Sequence, residues 1–140
     1  MENLERILVE HPFFKGLEEP YLKLIVACAT NVIFEKGGFI FHQGEEANSF
    51  YIIRHGQVAL ETNAGQRGVI TIETLSEGDV MGWSWLIPPY RWHYEAQALT
   101  LVRAIALDGK CLRKKCDNDH SFGYELYSRF FPVIVDRLQH

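Results

Sequence analysis

Apolar positions along the chain change period twice. Leu4, Ile7 and Leu8 fall at helical spacing, and Tyr21, Leu24, Ile25 and Cys28 repeat it, with Pro20 suited to the first turn of a helix. His11, Pro12, Phe13, Phe14 and Gly16 form the bend between these two predicted helices. From Val32 to Leu107 the pattern becomes short runs rich in Ile, Val, Phe, Tyr and Thr. They are punctuated by Gly37-Gly38, Gly44, His55-Gly56, Ala64-Gly65, Gly68 and Gly78-Asp79. Short strands at that spacing predict a sandwich or barrel. Helical period then returns: Asp108 is placed to cap a short helix reaching Cys116, and Asp119 or Ser121 starts a last one carrying Phe122, Leu126, Phe130, Val133 and Ile134. Pro132 predicts a kink or break in that last helix. No repeat, low-complexity tract or flexible linker interrupts the order, so residues 1–140 read as one mainly β domain. Helices are expected at about 2–29, strands at about 30–107 and helices again at about 108–139.

Composition narrows the class. With 140 residues, 47% of them hydrophobic, the chain holds a core large enough to fold without staples. Fourteen basic against eighteen acidic residues give a net charge of −4, a balance that argues against affinity for nucleic acid through phosphate neutralisation. Cys28, Cys111 and Cys116 are odd in number and lack Cys-x-x-Cys spacing. They predict neither a disulfide framework nor a zinc knuckle, and a reducing, cytoplasmic compartment fits best. No apolar run approaches the roughly 18 residues of a membrane span, and the Met1 to Arg6 stretch is too charged for a signal peptide.

The most informative stretch runs from Gly78 to Ala98 and reads GDVMGWSWLIPPYRWHYEAQA, holding all three tryptophans, Trp83, Trp85 and Trp92. A turn, a short apolar step, Gly82 and a helix-compatible run would leave the backbone N–H groups of Trp83, Ser84 and Trp85 free at a helix start, a ready anion site. Pro88 and Pro89 stop the helix, Arg91 supplies a fixed positive charge, and Trp92 to Leu99 alternates as a returning strand. Gly82, Trp83, Ser84, Trp85, Arg91 and Trp92 are therefore the candidate ligand-binding residues.

The order HPFFKGL, FEKGGFIFHQGEEANSFYIIRHGQVAL, LSEGDVMG and a closing helix resembles the cyclic-nucleotide-binding domain of the catabolite-activator and FNR-type regulators. The resemblance covers nearly the whole chain. It implies a double-stranded β-helix, or jelly roll, flanked by helices, and a regulatory rather than catalytic role with cyclic AMP or another anionic nucleotide-like effector. The family cassette is similar to Gly-Glu-x-Ala-Leu followed by Arg-x-Ala, in which Glu accepts the ribose hydroxyl and Arg pairs with the cyclic phosphate. Here Gly82 and Leu86 match, Trp83 stands at the Glu position, Trp85 at the Ala position and Trp92 at the Arg position, with Arg91 one residue early. A shift of one turns a strand side chain to the opposite face. Loss of two charge-assisted contacts, each worth roughly 1.5–3 kcal/mol, lowers affinity by about two to four orders of magnitude unless something replaces them. The indoles either stack on a base or fill the pocket and close it. In the second case the chain is a degenerate scaffold acting only through protein contacts.

The resemblance also implies a homodimer through the closing helix, on Phe122, Leu126, Phe130, Val133 and Ile134, whose alternative role is packing on the parent roll. Regulators of the family append a helix-turn-helix, and the chain leaves no room for one before His140, so DNA binding by this chain alone is not expected. A cupin-like metal enzyme is the remaining alternative, but His42, His55 and His93 are single residues without a His-x-His pair. Neither a nucleophile motif nor a P-loop is present. Lys110, Arg113, Lys114 and Lys115 read as a solvated helix face.

Overall fold

A computed structural model describes residues 4–63 and 65–138; Ala64 of the expected Ala64-Gly65 turn, and Glu2, Asn3 and Gln139 at the ends of expected helices, lie outside the described residues. Helix α1 (Leu4–Glu10) is joined through a 3-10 turn at Pro12–Phe14 to α2 (Glu19–Val26), which has Pro20 in its first turn and ends before Cys28. Eight strands follow among the described residues: β1 (Ala29–Phe34), β2 (Phe39–Phe41), β3 (Ser49–His55), β4 (Val58–Asn63), β5 (Val69–Leu75), β6 (Val80–Met81), β7 (Glu95–Ala98) and β8 (Val102–Asp108). They pair antiparallel in two four-stranded sheets, ordered β1-β8-β3-β6 and β2-β7-β4-β5, the jelly roll implied above. Helices α3 (Gly109–Asn118) and α4 (His120–Leu138) close the chain. No helix among the described residues is long and apolar enough to cross a membrane.

Strand alternation separates the core into two parts. Phe50 and Ile52 of β3 and Ile105 and Leu107 of β8 face the helices, while Ile53, Val102 and Ala104 face the inside of the roll with Phe41, Leu60, Met81 and Trp92. Leu8, Phe14, Leu22, Leu112, Phe122 and Phe130 cover the first set. Asp108 caps α3 by accepting from Cys111 N–H at 3.1 Å, as expected from the sequence, and of the two starts the sequence left open for α4 it is Asp119 that accepts from the N–H groups of Ser121 and Phe122.

Three expectations need correction. Cys28 and Cys111 are joined in a disulfide with Cα atoms 6.0 Å apart, 83 residues apart in sequence. Short-range spacing carries no signal for such a pair. The strands bring it together, since Asp108 N–H donates to the Cys28 carbonyl at 2.9 Å beside the start of α3. The bond removes the ground given above for a reducing, cytoplasmic compartment. Next, of the kink or break expected at Pro132 the break is absent, since α4 continues through it. Finally, Phe122, Leu126 and Phe130 are completely buried against the chain's own roll, and Val133 and Ile134 pack on the same cluster. The residues expected at a dimer seam instead anchor α4, and its exposed stripe is Tyr124, Tyr127, Phe131 and Val135.

Cys116 is the remaining thiol, and burial first, then Asp117 and Asp119, push it up to about 11. Unreduced protein should therefore yield one thiol to a colorimetric reagent, only after denaturation, and three after reduction. Replacing both Cys28 and Cys111 by Ser should lower the unfolding free energy by roughly 2–4 kcal/mol in urea titration. Three thiols without reductant would remove the cross-link.

Candidate functional site

Gly82 leaves β6 with φ +96°, a conformation that favours glycine, and a Cβ there would stand 3.0–3.1 Å from the ring of Trp92. Where the sequence suggests a helix start, the chain makes a single 3-10 turn, Ser84–Leu86. Three residues sum to no useful helix dipole, and Leu86 and Ile87 N–H groups turn back to the carbonyls of Trp83 and Ser84. Trp83, Ser84 and Trp85 are all buried. Trp83 stacks on His93 with ring centroids 4.5 Å apart, Ser84 Oγ meets His93 Nδ1 at 2.9 Å, and Trp85 packs against Phe50 and Phe130 at 5.3 and 5.4 Å. The three tryptophans are thus divided: Trp83 and Trp85 belong to the core under the helices, and Trp92 alone turns into the roll.

Trp92 lies flat on Phe41, centroids 3.7 Å apart and planes 8° from parallel. Together with Tyr51, Ser49, Asn48, Glu45 and Glu46 it lines a cavity of about 390 Å³. Arg91 points the other way, as the one-residue offset in the sequence suggests. It is exposed, bridges Glu46 through the backbone and donates from Nη1 to the Gly44 carbonyl at 3.3 Å, so it stands at the rim. Glu46 is held below the usual carboxylate range by its hydrogen bond with Asn48, then by Lys110, 3.7 Å away, and more weakly by Arg91. Burial pushes the Tyr51 phenol up, so it presents a neutral hydroxyl to the cavity. The walls are aromatic, the rim carries both signs of charge, and among the residues lining the cavity none is cationic. Such a surface suits a flat ring with hydrogen-bonding edges better than a buried phosphate.

The turn under this cavity is fastened to the closing helices. Arg113 of α3 donates to the Trp85 carbonyl and, at 3.3 Å, to Asn48 Oδ1, and its guanidinium lies 4.2 Å from the centre of the Tyr90 ring. Gly109 N–H donates to the Asn48 carbonyl at 2.7 Å, and a Cβ on Gly109 would meet Asn48 backbone and Trp85 Cβ at 3.0 Å. Trp85 Nε1 is buried without a hydrogen-bond partner among the described residues, so Trp85 is held by packing and through its carbonyl. Sequence reasoning assigned Arg113 to a solvated face and passed over Asn48 and Tyr51. Helical spacing held the signal for Arg113, four residues from buried Gly109 and three from buried Cys116. The Pro88-Pro89 peptide is cis.

The histidines stay apart. His42 Nδ1 meets Glu95 Oε2 at 2.7 Å, His93 serves Ser84, and His55 ends β3; among the described residues no three His, Cys, Asp or Glu side chains gather as a metal would require.

Residues 31–119 match the family described as the cyclic nucleotide-binding domain. The chain is 28% identical over 112 residues to a CRP-like cAMP-activated global transcriptional regulator of Mycobacterium tuberculosis, covering 79% of this chain and 49% of the regulator. It is 28% identical to a cAMP-dependent protein kinase regulatory subunit of Schizosaccharomyces pombe, covering 74% of this chain and 24% of the subunit. A crystal structure of a Geobacter metallireducens GS-15 protein superposes with a TM-score of 0.86 at 28% identity, covering 99% of both chains. The chain spans about half the length of the mycobacterial regulator, 49%.

Gly82→Ala forces a side chain into the Trp92 ring and a strained φ, so it should cost about 1–3 kcal/mol of stability in urea unfolding and red-shift tryptophan emission. Stability and emission equal to the parent's would mean that Trp92 does not rest on Gly82.

Proposed function

We propose, from the premise that this chain belongs to the cyclic nucleotide-binding domain family, that it is a non-enzymatic regulatory module. Its effector enters the Trp92 cavity, and its response passes through the turn at 82–86 to α3 and α4. The observation that carries this is the joint itself. Gly82 supports Trp92 on one side, and three residues later Trp85 is gripped by Arg113 and packed on Phe130. A ligand shifts a helix only through differential affinity for its two positions, and a ring that replaces Trp92 on Phe41 unloads one end of that joint.

The effector class favoured is nucleotide-like and bound ring-first, stacked on Phe41 and Tyr51, with hydroxyls toward Ser49 and Asn48 and any phosphate toward Arg91 at the rim. Cyclic AMP, which activates the mycobacterial relative by name, belongs to that class. Here it meets an indole where the family cassette places a guanidinium, and it binds by displacing Trp92. Calorimetry and tryptophan fluorescence with cyclic AMP, cyclic GMP and 5′-nucleotides test this. Parent protein should bind weakly, and Trp92→Arg should bind cyclic AMP about ten- to a hundredfold more tightly, the worth of one charge-assisted hydrogen bond. Absence of heat and of any emission change in both proteins across the series would sink the sensor and leave a scaffold for protein contacts.

A second copy of this chain is the partner favoured for the exposed face of α4. Tyr124 and Phe131 are 73% and 69% exposed and, with Tyr127 and Val135, form one apolar stripe at helical spacing. Phe131→Asp should convert a dimer to a monomer in light scattering at micromolar concentration. A parent that is monomeric throughout that range would remove the dimer.

A further inference from the structure

The face of the first sheet that lies under the helices continues beyond them. Past Ile52 and Ile105 it ends in a row set by strand register, with Ile33 of β1 opposite Arg103 of β8 and Arg103 opposite His55 of β3. The β3–β8 register shifts between Ile53 and His55, and Arg54 is the extra residue of that bulge, a device that re-aims side chains at a sheet end. Arg54, His55, Arg103 and Asn31 line a cleft of about 340 Å³ there, and no carboxylate lines it. Among the described residues neither the His55 imidazole nor the Arg103 guanidinium has a hydrogen-bond or ion-pair partner. Two basic groups directly opposite on neighbouring strands repel when both are charged, and packing does not require them, since the same sheet face holds isoleucine one step earlier. On a chain of net charge −4 such a grouping stands out.

We infer that this cleft is a second anion site, separate from the Trp92 cavity, that takes a phosphate group. Arg103 presents a planar fork suited to two phosphate oxygens, His55 flanks it, and the Asn31 amide adds a donor. The volume exceeds that of a bare oxyanion, so a phosphate monoester with a small polar body fits it better than inorganic phosphate.

Isothermal calorimetry at constant ionic strength, set with chloride, tests this with two probes, inorganic phosphate and glucose 6-phosphate. Both should bind saturably, the monoester more tightly. Arg103→Ala should weaken both by about tenfold or more, the loss of a charge-assisted contact. His55→Gln should weaken them less. Circular dichroism should be unchanged in both variants, because the two side chains are exposed. Trp92→Arg should leave this binding intact, which separates it from the effector pocket: either site can fail while the other stands. Tighter binding of inorganic phosphate than of the monoester would assign the site to the free ion and overturn the monoester. No saturable heat, or equal heat from Arg103→Ala, would overturn the site itself.

Discussion

The flat contact of the Trp92 indole on Phe41, made possible by the bare Cα of Gly82 beneath it, decides what the inside of this jelly roll can hold. A buried indole removes roughly 150–250 Å² from water, worth about 4–6 kcal/mol as an upper bound, before any stacking preference is counted. A ligand that only evicted the ring would have to overcome all of that. A ligand that lays its own ring on Phe41 recovers most of it. On the proposed reading the contact selects for aromatic effectors and against phosphate-led binding, because Trp92 stands where the resembling cassette places a cation.

The same contact has mechanical consequences because the cassette is short. Between the ring seat at Gly82 and the anchored Trp85 there is no long helix to absorb a displacement, only a 3-10 turn. Arg113 joins the Trp85 carbonyl, Asn48 and Tyr90, and so ties the turn, the cavity wall and the segment leading to Arg91 to one side chain of α3. The base of α3 is fixed in turn by the Cys28–Cys111 bond and by the Gly109–Asn48 approach. Motion passed to the helices should thus be a tilt about a fixed start rather than a loss of contact, with α4 following through Phe130.

Much of this was legible in the chain. Strand alternation and the spacing of glycines predicted a sandwich or barrel, which the family resemblance narrowed to the roll; Asp108 marked the start of one closing helix and Asp119 or Ser121 that of the other, and the one-residue offset placed Arg91 and Trp92 on opposite faces. What escaped was information that only tertiary structure creates. Trp83, Trp85 and Trp92 look alike within ten residues, yet the turn sends two to the helical side and one into the roll. Cys28 and Cys111 meet because the strands following and preceding them are neighbours, which no local spacing reveals. Phe122, Leu126 and Phe130 form a helical stripe whether they cover a partner or their own domain, and periodicity does not choose between the two.

On the proposed reading the cavity and the closing helices share one moving part, the turn at 82–86. With 5-fluorotryptophan at all three positions, 19F NMR follows Trp83, Trp85 and Trp92 separately as cyclic AMP is added. The Trp92 and Trp85 resonances should shift together with one midpoint. A Trp92 shift that leaves Trp85 unmoved at saturation would contradict that reading.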